Sequence, residues 1–469
     1  MVEKILLLDV ELDRESSSGQ LEKNWTHYPT GILYLAAALK KEFPLLEIKV
    51  FHTSVYNNSI QELSNVLSTY KPDLIGFRAL SRFKKQFADH VLLCKKLLPE
   101  ACLIAGGPYP STSYEEVFKK TPVDMVIIGE GEKTIVEVVK ALRNSFELPQ
   151  NINGTVIKVD GAIHKNFERQ FIENLDGIPF PDYSLIDINS YKGLTNHAFT
   201  NTNKCAYILS SRGCPFNCFY CHQLFGKKIR RRSSLNIVEE MKEKYHRFGI
   251  KEFVFLDDIF NVPLRECKET LKLMAKELPN DITIDFPNGL RADYIDAELI
   301  YLLRTCGMKN IALAVESASP RVQKYIGKNL DVEKAYKNIG DISREFITTV
   351  FYMIGFPTET VEEAKMTIEF AEQLKYVSQP VLSILRVYRN TKIYDFLKPN
   401  SIQDEYIKNQ ETLDLQTKLN SNMYFYGDVF DDEIVPLNSK TINKLRLLWM
   451  KRVMMNKERI QNSNKILNK

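Results

Sequence analysis

Cys214, Cys218 and Cys221 stand in the stretch SSRGCPFNCFYCHQLFGKKIRRRS, separated by three and then two residues, in a chain with eight cysteines in all. Three thiols on one short loop point to metal or redox chemistry, because in a reducing compartment scattered cysteines stay free and do not build a disulfide framework. Three thiolates can hold three irons of a four-iron cluster and leave one iron open, whereas a structural zinc site closes with four ligands. Cys205 lies nine residues upstream and His222 adjoins Cys221. The short span makes both awkward fourth ligands. A zinc site completed by His222, or three cysteines placed by packing alone, are the competing readings. The other cysteines, Cys94, Cys102, Cys205, Cys267 and Cys306, show no second cluster spacing.

A chain of 469 residues and 54.2 kDa is long enough for two or three domains. With 44% hydrophobic and 26% charged residues it has the balance of a folded protein, and a net charge of +4 does not ask for a nucleic-acid partner. No apolar run reaches the ~18–20 residues of a membrane helix. The start, MVEKILLLDVELD, turns acidic after a short apolar run, unlike a secretory signal. These features predict a cytoplasmic protein with no membrane partner.

The elements that must position the cysteines follow from periodicity. KILLLDV, EIKVF, DLIGF, CLIAGG and DMVIIGEGE read as strands, with helical spacing between them, as at Ile32, Leu35, Leu39 and Phe43. Alternation of this kind predicts a parallel sheet over residues 1–150, with ligands bound beyond the strand C-terminal ends. Gly106, Gly107 and Pro108, and then Gly129, Glu130 and Gly131, stand at those ends and would let a large ligand approach the backbone, although tight turns alone also call for glycine. Residues 151–200 read as a linker, with a hairpin turning at Asp160 and Gly161 followed by the proline-punctuated DGIPFPDYSLID. Six further strand runs, AYILSS, EFVFLDD, ITIDFPNG, NIALAVES, TTVFYMIGFP and VLSILRV, predict a partial parallel barrel over 201–400. Thr360 and Glu363 form a capping box before a stripe of Val361, Ala364, Ile368 and Ala371. Barrels of this type react on the loops after the strands, and the cysteines follow the first strand of the set.

CPFNCFYC matches the cysteine-x3-cysteine-x2-cysteine loop of the radical S-adenosylmethionine (SAM) enzymes, including the aromatic Tyr220 before the last cysteine. With YPTGILYLAAAL, GGPYPS, GEGE, IPFPDY and FLDDIF, the chain resembles the cobalamin-dependent (B12-binding) methylase branch of that family over about residues 1–400. The resemblance implies an α/β fold class: a Rossmann-like (flavodoxin-like) cobalamin-binding domain, then a partial (β/α)6 TIM-type radical SAM barrel, then a helical C-terminal tail over 401–469. It also implies that Cys214, Cys218 and Cys221 ligate a [4Fe-4S] cluster whose fourth iron binds SAM. Tyr220 would contact the adenine. Asp257 or Asp258 would take the methionine amino group, or else form a solvated acidic loop. Glu316 and Ser317 resemble a ribose-binding element, with Ala318 where a glycine is often found. Arg291 would meet the SAM carboxylate or serve as a surface ion-pair partner. Ile354 and Gly355 in IGFPTET would pack along the adenine. Pro29, Gly31, Ser81, Gly107, Pro108, Gly129 and Gly131 would face cobalamin. The loop DVELDRESSSG lacks the histidine that many cobalamin proteins give to cobalt, and His27 is the nearest substitute.

The same resemblance implies methylation of an unactivated carbon of a small-molecule or natural-product intermediate, through a 5'-deoxyadenosyl radical and methylcobalamin. Oxidative cyclisation or ring rearrangement is the alternative, and an iron-sulfur electron-transfer or binding module is the reading from another class. Methylthiotransferases need three further cysteines in the N-terminal domain, where only Cys94 and Cys102 exist. A low-potential electron donor of flavodoxin or ferredoxin type would be the protein partner. Arg386, Tyr388 and Arg389 are candidates for the substrate pocket. The basic run Lys227, Lys228, Arg230, Arg231 and Arg232 lacks interleaved aromatics, which favours a local structural or cofactor role over nucleic acid. NKLRLLWMKRVMMNKERI, with Leu445, Leu448 and Val453 at helical spacing, is expected to cover the barrel mouth, or to form an exposed basic helix for a partner.

Overall fold

The computed structural model describes residues 2–14, 26–145, 147–191, 196–197, 200–201, 204–222, 224–412 and 425–467. The chain divides into two compact units, with residues 1–196 forming most of the first, and 204–410 with 417–469 most of the second.

In the first unit β1 (Lys4–Val10), β2 (Glu47–His52), β3 (Leu74–Ala79), β4 (Cys102–Gly106) and β5 (Met125–Ile127) pair in parallel in the order β2-β1-β3-β4-β5. β1 is apolar along nearly its whole length because helices cover both faces. Leu6 and Leu8 join Leu63, Leu67, Phe87 and Val91 from α2 (Ser59–Tyr70) and α3 (Lys84–Leu97). Ile5 and Leu7 join Ile32 and Leu39 of α1 (Thr30–Glu42) on the opposite face. The hairpin expected in the linker extends this sheet: β6 (Thr155–Val159) runs antiparallel to β5, and β7 (Ala162–Lys165) follows. Asp160 and Gly161 both have positive φ, 49° and 82°, as a tight hairpin turn with the right twist needs. The physical reason for its place is β5, which would otherwise present an unpaired edge.

In the second unit six strands pair in parallel in chain order: β8 (Cys205–Ile208), β9 (Glu252–Phe255), β10 (Thr283–Leu290), β11 (Met308–Glu316), β12 (Ile347–Ile354) and β13 (Gln379–Ile384). This is the partial barrel. In β12, Val350, Tyr352 and Ile354 are fully buried while Thr349, Phe351 and Met353, which alternate with them, are half-buried. Tyr352 packs edge-on against Phe370 of the helix Val361–Gln373 and against Trp449 of the tail helix Ser439–Trp449, so this side faces the outer helices. The other side lines the concave interior. The tail helix ends in a wide turn at Met450–Met454, and the final helix Lys457–Leu467 is tied down by Arg459, whose guanidinium donates to the Val377 and Ala371 carbonyls.

The basic run after the cysteines is largely spent inside this unit. Arg230 and Arg231 pair with Arg212 and Ser211 in a short antiparallel ribbon. Arg231 also donates to the Phe260 and Val262 carbonyls, and Arg232 bonds Asn236 and Glu240. The Arg232 and Glu240 side chains are 5% and 0% exposed. A buried pair is costly to break from one side, because the partner keeps its charge without water. Arg232→Met should therefore lower the stability of the second unit by about 3–5 kcal/mol in chemical denaturation, and adding Glu240→Leu should restore much of the loss.

Candidate functional site

The cysteine loop follows β8. The ribbon of Ser211–Arg212 with Arg230–Arg231 closes its base. Gly213 has φ +93° and lies so close to the Lys228 carbonyl that no Cβ fits. The Cys214 N–H donates to the Gly226 carbonyl at 3.2 Å, and the Cys221 N–H to the Cys218 carbonyl at 3.2 Å. Cys214 and Cys218 are half-buried and Cys221 is exposed. Cys221 hydrogen-bonds the Cys218 sulfur, which brings the Cys218 thiol down to about 7 against the opposing effect of burial and pushes Cys221 up. Among the described residues no three His, Cys, Asp or Glu side chains converge as a single-ion site would require. In a four-iron cluster each of three such thiols takes its own iron.

The turn Ile326–Asn329 grips this loop from outside. The Phe219 N–H donates to the Ile326 carbonyl at 3.0 Å, and Gly327, at φ +69°, lies against the Asn217 carbonyl. Arg291 is buried rather than on the surface. It donates to both oxygens of Asp293 and to the carbonyls of Lys328 and Asn329. Its guanidinium lies 3.8 Å from the centre of the Phe216 ring, inside the cysteine loop. Glu316 ends β11 in a left-handed conformation, φ +66°, and forms a buried ion pair of 3.1 Å with Lys328. Ser317 beside it is fully buried and accepts from the Ser319 N–H.

The two adjacent aspartates divide their tasks. Asp257 is buried and accepts from the Ser210 and Ser211 hydroxyls, at 2.7 and 2.5 Å, and burial pushes its carboxyl up. Asp258 is exposed and accepts from the Gly213 N–H, directly before Cys214. At the end of β12, the Tyr220 ring of the cysteine loop stands 5.6 Å from Phe356, next to Ile354 and Gly355. The Gly355 peptide is held on both sides: its N–H donates to Glu359 at 2.6 Å, and its carbonyl accepts from the Tyr426 hydroxyl at 2.7 Å. Phe425 occupies the space a side chain at 355 would need. Glu359 also accepts from the Phe356 N–H, yet burial pushes its carboxyl up to about 8. Arg389 is paired with Asp404, and Tyr388 stands 5.7 Å from His222. Arg386 is half-buried just beyond β13.

In the first unit, Pro29, Gly31, Ser81, Gly107, Pro108, Gly129 and Gly131 all fall at the C-terminal edge of the parallel sheet, after β1, β3, β4 and β5. Gly129, φ +77°, has open space above it, which a bulky ligand could use. Two polar side chains at this edge escaped sequence reasoning. Arg78 at the end of β3 bonds both oxygens of Asp9 at 2.7 and 2.9 Å and packs against Gly107. His52 at the end of β2 is buried, with one ring nitrogen on the Tyr191 hydroxyl at 3.0 Å and the other on Ser54 at 2.9 Å, Glu11 standing 3.4 Å away. His27 is half-buried just before α1. Part of the loop DVELDRESSSG lies outside the described residues.

The family model of the Radical SAM superfamily matches residues 208–371, and that of the B12 binding domain matches 24–139. The chain belongs to the B12-binding radical SAM enzymes. Its cofactors are accordingly a [4Fe-4S] cluster, SAM and cobalamin. An uncharacterized methyltransferase of Pyrococcus horikoshii is 26% identical over 80% of this chain and 79% of its own. The cytidylyl-2-hydroxyethylphosphonate methyltransferase of Streptomyces wedmorensis is 24% identical over 75% and 74%. The anaerobic magnesium-protoporphyrin IX monomethyl ester cyclase of Rubrivivax gelatinosus is 24% identical over 78% and 65%. Among solved structures, the radical SAM methyltransferase TsrM of Kitasatospora setae, with cobalamin and a [4Fe-4S] cluster bound, shares the fold with a TM-score of 0.68 at 15% identity, over 87% of this chain and 75% of that one.

In this enzyme Glu359, Tyr426 and the turn at 326–329 carried no sequence signal beyond the carboxylate in IGFPTET, because their partners are distant in the chain. Two outcomes follow from their geometry. The Glu359 carboxyl, up from 4.5 to about 8, keeps a proton in the folded state that the unfolded chain has lost, so its contribution is full below about pH 4.5 and is lost as pH rises toward 8. Glu359→Gln mimics the protonated form, and its unfolding free energy relative to the native protein, followed by chemical denaturation, should climb between about pH 5 and pH 8, by at most ~1.4 kcal/mol per pH unit. Gly327→Ala, whose Cβ would stand 2.7 Å from the Asn217 carbonyl, should displace the cysteine loop and lower reconstituted iron content while far-ultraviolet circular dichroism stays unchanged.

Proposed function

We propose that the enzyme methylates an unactivated carbon of a small-molecule intermediate. The observation that carries this reading is the meeting of Tyr220 with Phe356, which places the cysteine loop beside the end of β12 in a chain that also holds a B12 binding domain. Methyltransferases among its relatives support it. The cyclase relative keeps radical cyclisation as a second reading.

Cys214, Cys218 and Cys221 would each hold one iron, and the absence of a fourth cysteine on the loop leaves the remaining iron for SAM. When bound, the cluster and SAM supply a hydrogen-abstracting carbon radical, and cobalamin a transferable methyl group. The chain's own residues would orient and shield. Tyr220, backed by Phe356, and the Ile354–Gly355 segment would flank the adenine, with the Gly355 peptide held in register by Glu359 and Tyr426. Glu316 would meet the ribose, its charge balanced by Lys328, and Ser317 would hold the turn after β11. Asp258, exposed beside Gly213, is the better placed of the two aspartates for the methionine amino group, since Asp257 is engaged by two serines. Arg291 we assign to bracing Phe216 in place of binding the SAM carboxylate. The seven residues at the edge of the first sheet would receive cobalamin by backbone approach. Arg386, Tyr388 and Arg389 follow β13 and would border the substrate.

Anaerobic reconstitution should give ~4 irons per chain together with bound cobalamin, and reduced protein should release 5'-deoxyadenosine from SAM. Cys218→Ala should lose iron and SAM cleavage while keeping cobalamin. Cleavage without methylated product from any acceptor, with a cyclised product instead, would move the assignment to the second reading.

A further inference from the structure

The tail helix has two opposed faces. Ile442, Leu445, Trp449 and Val453 are buried against the barrel. On the other side Lys440, Lys444 and Leu447 are exposed at helical spacing, and Met450, Lys451 and Met454 of the wide turn that continues the helix are exposed as well. Leu447 is 71% exposed and Met450 50%, and Met454 and Met455 beside them are 39% and 70% exposed, so the apolar side chains on this face form one group and are not scattered singly. Residues 439–457 contain Lys440, Lys444, Arg446, Lys451, Arg452 and Lys457 and no acidic residue. Arg452 is paired with Glu369 and Glu372, but among the described residues no carboxylate lies within ion-pair distance of Lys440, Lys444, Lys451 or Lys457. An apolar centre rimmed by unpaired lysines matches an acidic protein surface.

The buried face of the same helix reaches the reaction site. Ile442 closes on Gly355, its Cδ1 3.6 Å from where a Cβ on that glycine would stand. The next residue, Phe356, meets the Tyr220 ring, and Tyr220 adjoins Cys221. A protein seated on the outer face would thus be one helix thickness, a glycine and two rings from the cysteine loop. We propose that the exposed Lys440–Met454 face of the tail helix is the docking surface for a small acidic one-electron donor protein of flavodoxin or ferredoxin type. The inference rests on the radical SAM reading of the cysteine loop. In the transfer one electron leaves the donor's reduced flavin or iron-sulfur centre and enters the cluster; no bond forms or breaks and no proton moves.

The test compares two reductants on the full-length reconstituted enzyme. Lys440→Glu, Lys444→Glu and Lys451→Glu are combined in one variant, and Leu447→Ser with Met450→Ser in another. SAM cleavage is driven either by a reduced acidic flavodoxin or by dithionite. Charge reversal should raise the KM for flavodoxin about tenfold or more and remove its dependence on ionic strength, while the dithionite-driven rate stays as in the native chain. The apolar variant should weaken flavodoxin use with its salt dependence intact. Equal losses with both reductants, or no loss with flavodoxin, overturn the proposal. So does a charge-reversed variant that has lost binding only to anionic phosphatidylserine vesicles or single-stranded RNA. Binding of fluorescently labelled flavodoxin to the full chain is read separately by anisotropy. If the native protein cleaves no SAM with dithionite, the functional reading fails, whereas salt-dependent binding lost in the charge-reversed variant would still establish the surface.

Discussion

The cysteine loop belongs to no helix or sheet of its own, so backbone hydrogen bonds from elsewhere must decide its shape. The Phe219 N–H to the Ile326 carbonyl, the Gly213 N–H to Asp258 and the Cys214 N–H to the Gly226 carbonyl hold it at three separate points. Without them three thiols would sample many arrangements, and ordering each residue costs on the order of 1–2 kcal/mol. Glycines at 213 and 327 are the condition for two of these contacts, because both take positive φ and both lie against a carbonyl. The cation–π contact of Arg291 with Phe216 adds a fourth hold, and Arg291 is itself locked by Asp293 and two carbonyls of the gripping turn.

Around this loop the protein spends buried charge on position. Glu316 with Lys328, Arg291 with Asp293 and Arg232 with Glu240 are all nearly inaccessible pairs. Such pairs contribute little net stability compared with apolar packing, and their worth is geometric, since a misplaced partner leaves a charge without water. Glu359 follows the same logic in neutral form. Burial pushes its carboxyl up, and its two N–H donors and the more distant charge of Arg321 offset only part of that effect. The tail completes the arrangement by giving the Tyr426 hydroxyl to the other side of the Gly355 peptide. A segment some seventy residues away in the chain thereby shares control of the strand end that faces Tyr220.

Much of the fold was legible beforehand. The five strands of the first sheet, the glycines at their ends and the six barrel strands all announce themselves through short apolar runs, whose burial on both faces leaves little freedom in the pattern. The capping box at Thr360 and Glu363 forms with both reciprocal bonds. The hairpin at Asp160 and Gly161 was legible too, although its pairing with β5 was not, because strand partners are chosen by which edge is open. Asp257 and Asp258 look alike in sequence; only the two serines after β8 distinguish the engaged carboxylate from the exposed one. Arg291 reads equally as a SAM-carboxylate contact or a surface ion-pair partner until Asp293, Lys328 and Asn329 are seen around it.

By itself the sequence determined what is local: the cysteine spacing, the strand periodicities and the glycines that alone tolerate their backbone angles. Those depend on contacts within a few residues, and residue type encodes them directly. The tertiary structure decided what is long-range. The grip of Ile326–Asn329 on the loop, the double hold on Gly355 and the buried His52 beside Tyr191 each join residues whose meeting requires the sheets to have formed. Their energies come from desolvation and hydrogen-bond geometry, which exist only once the surrounding side chains have excluded water.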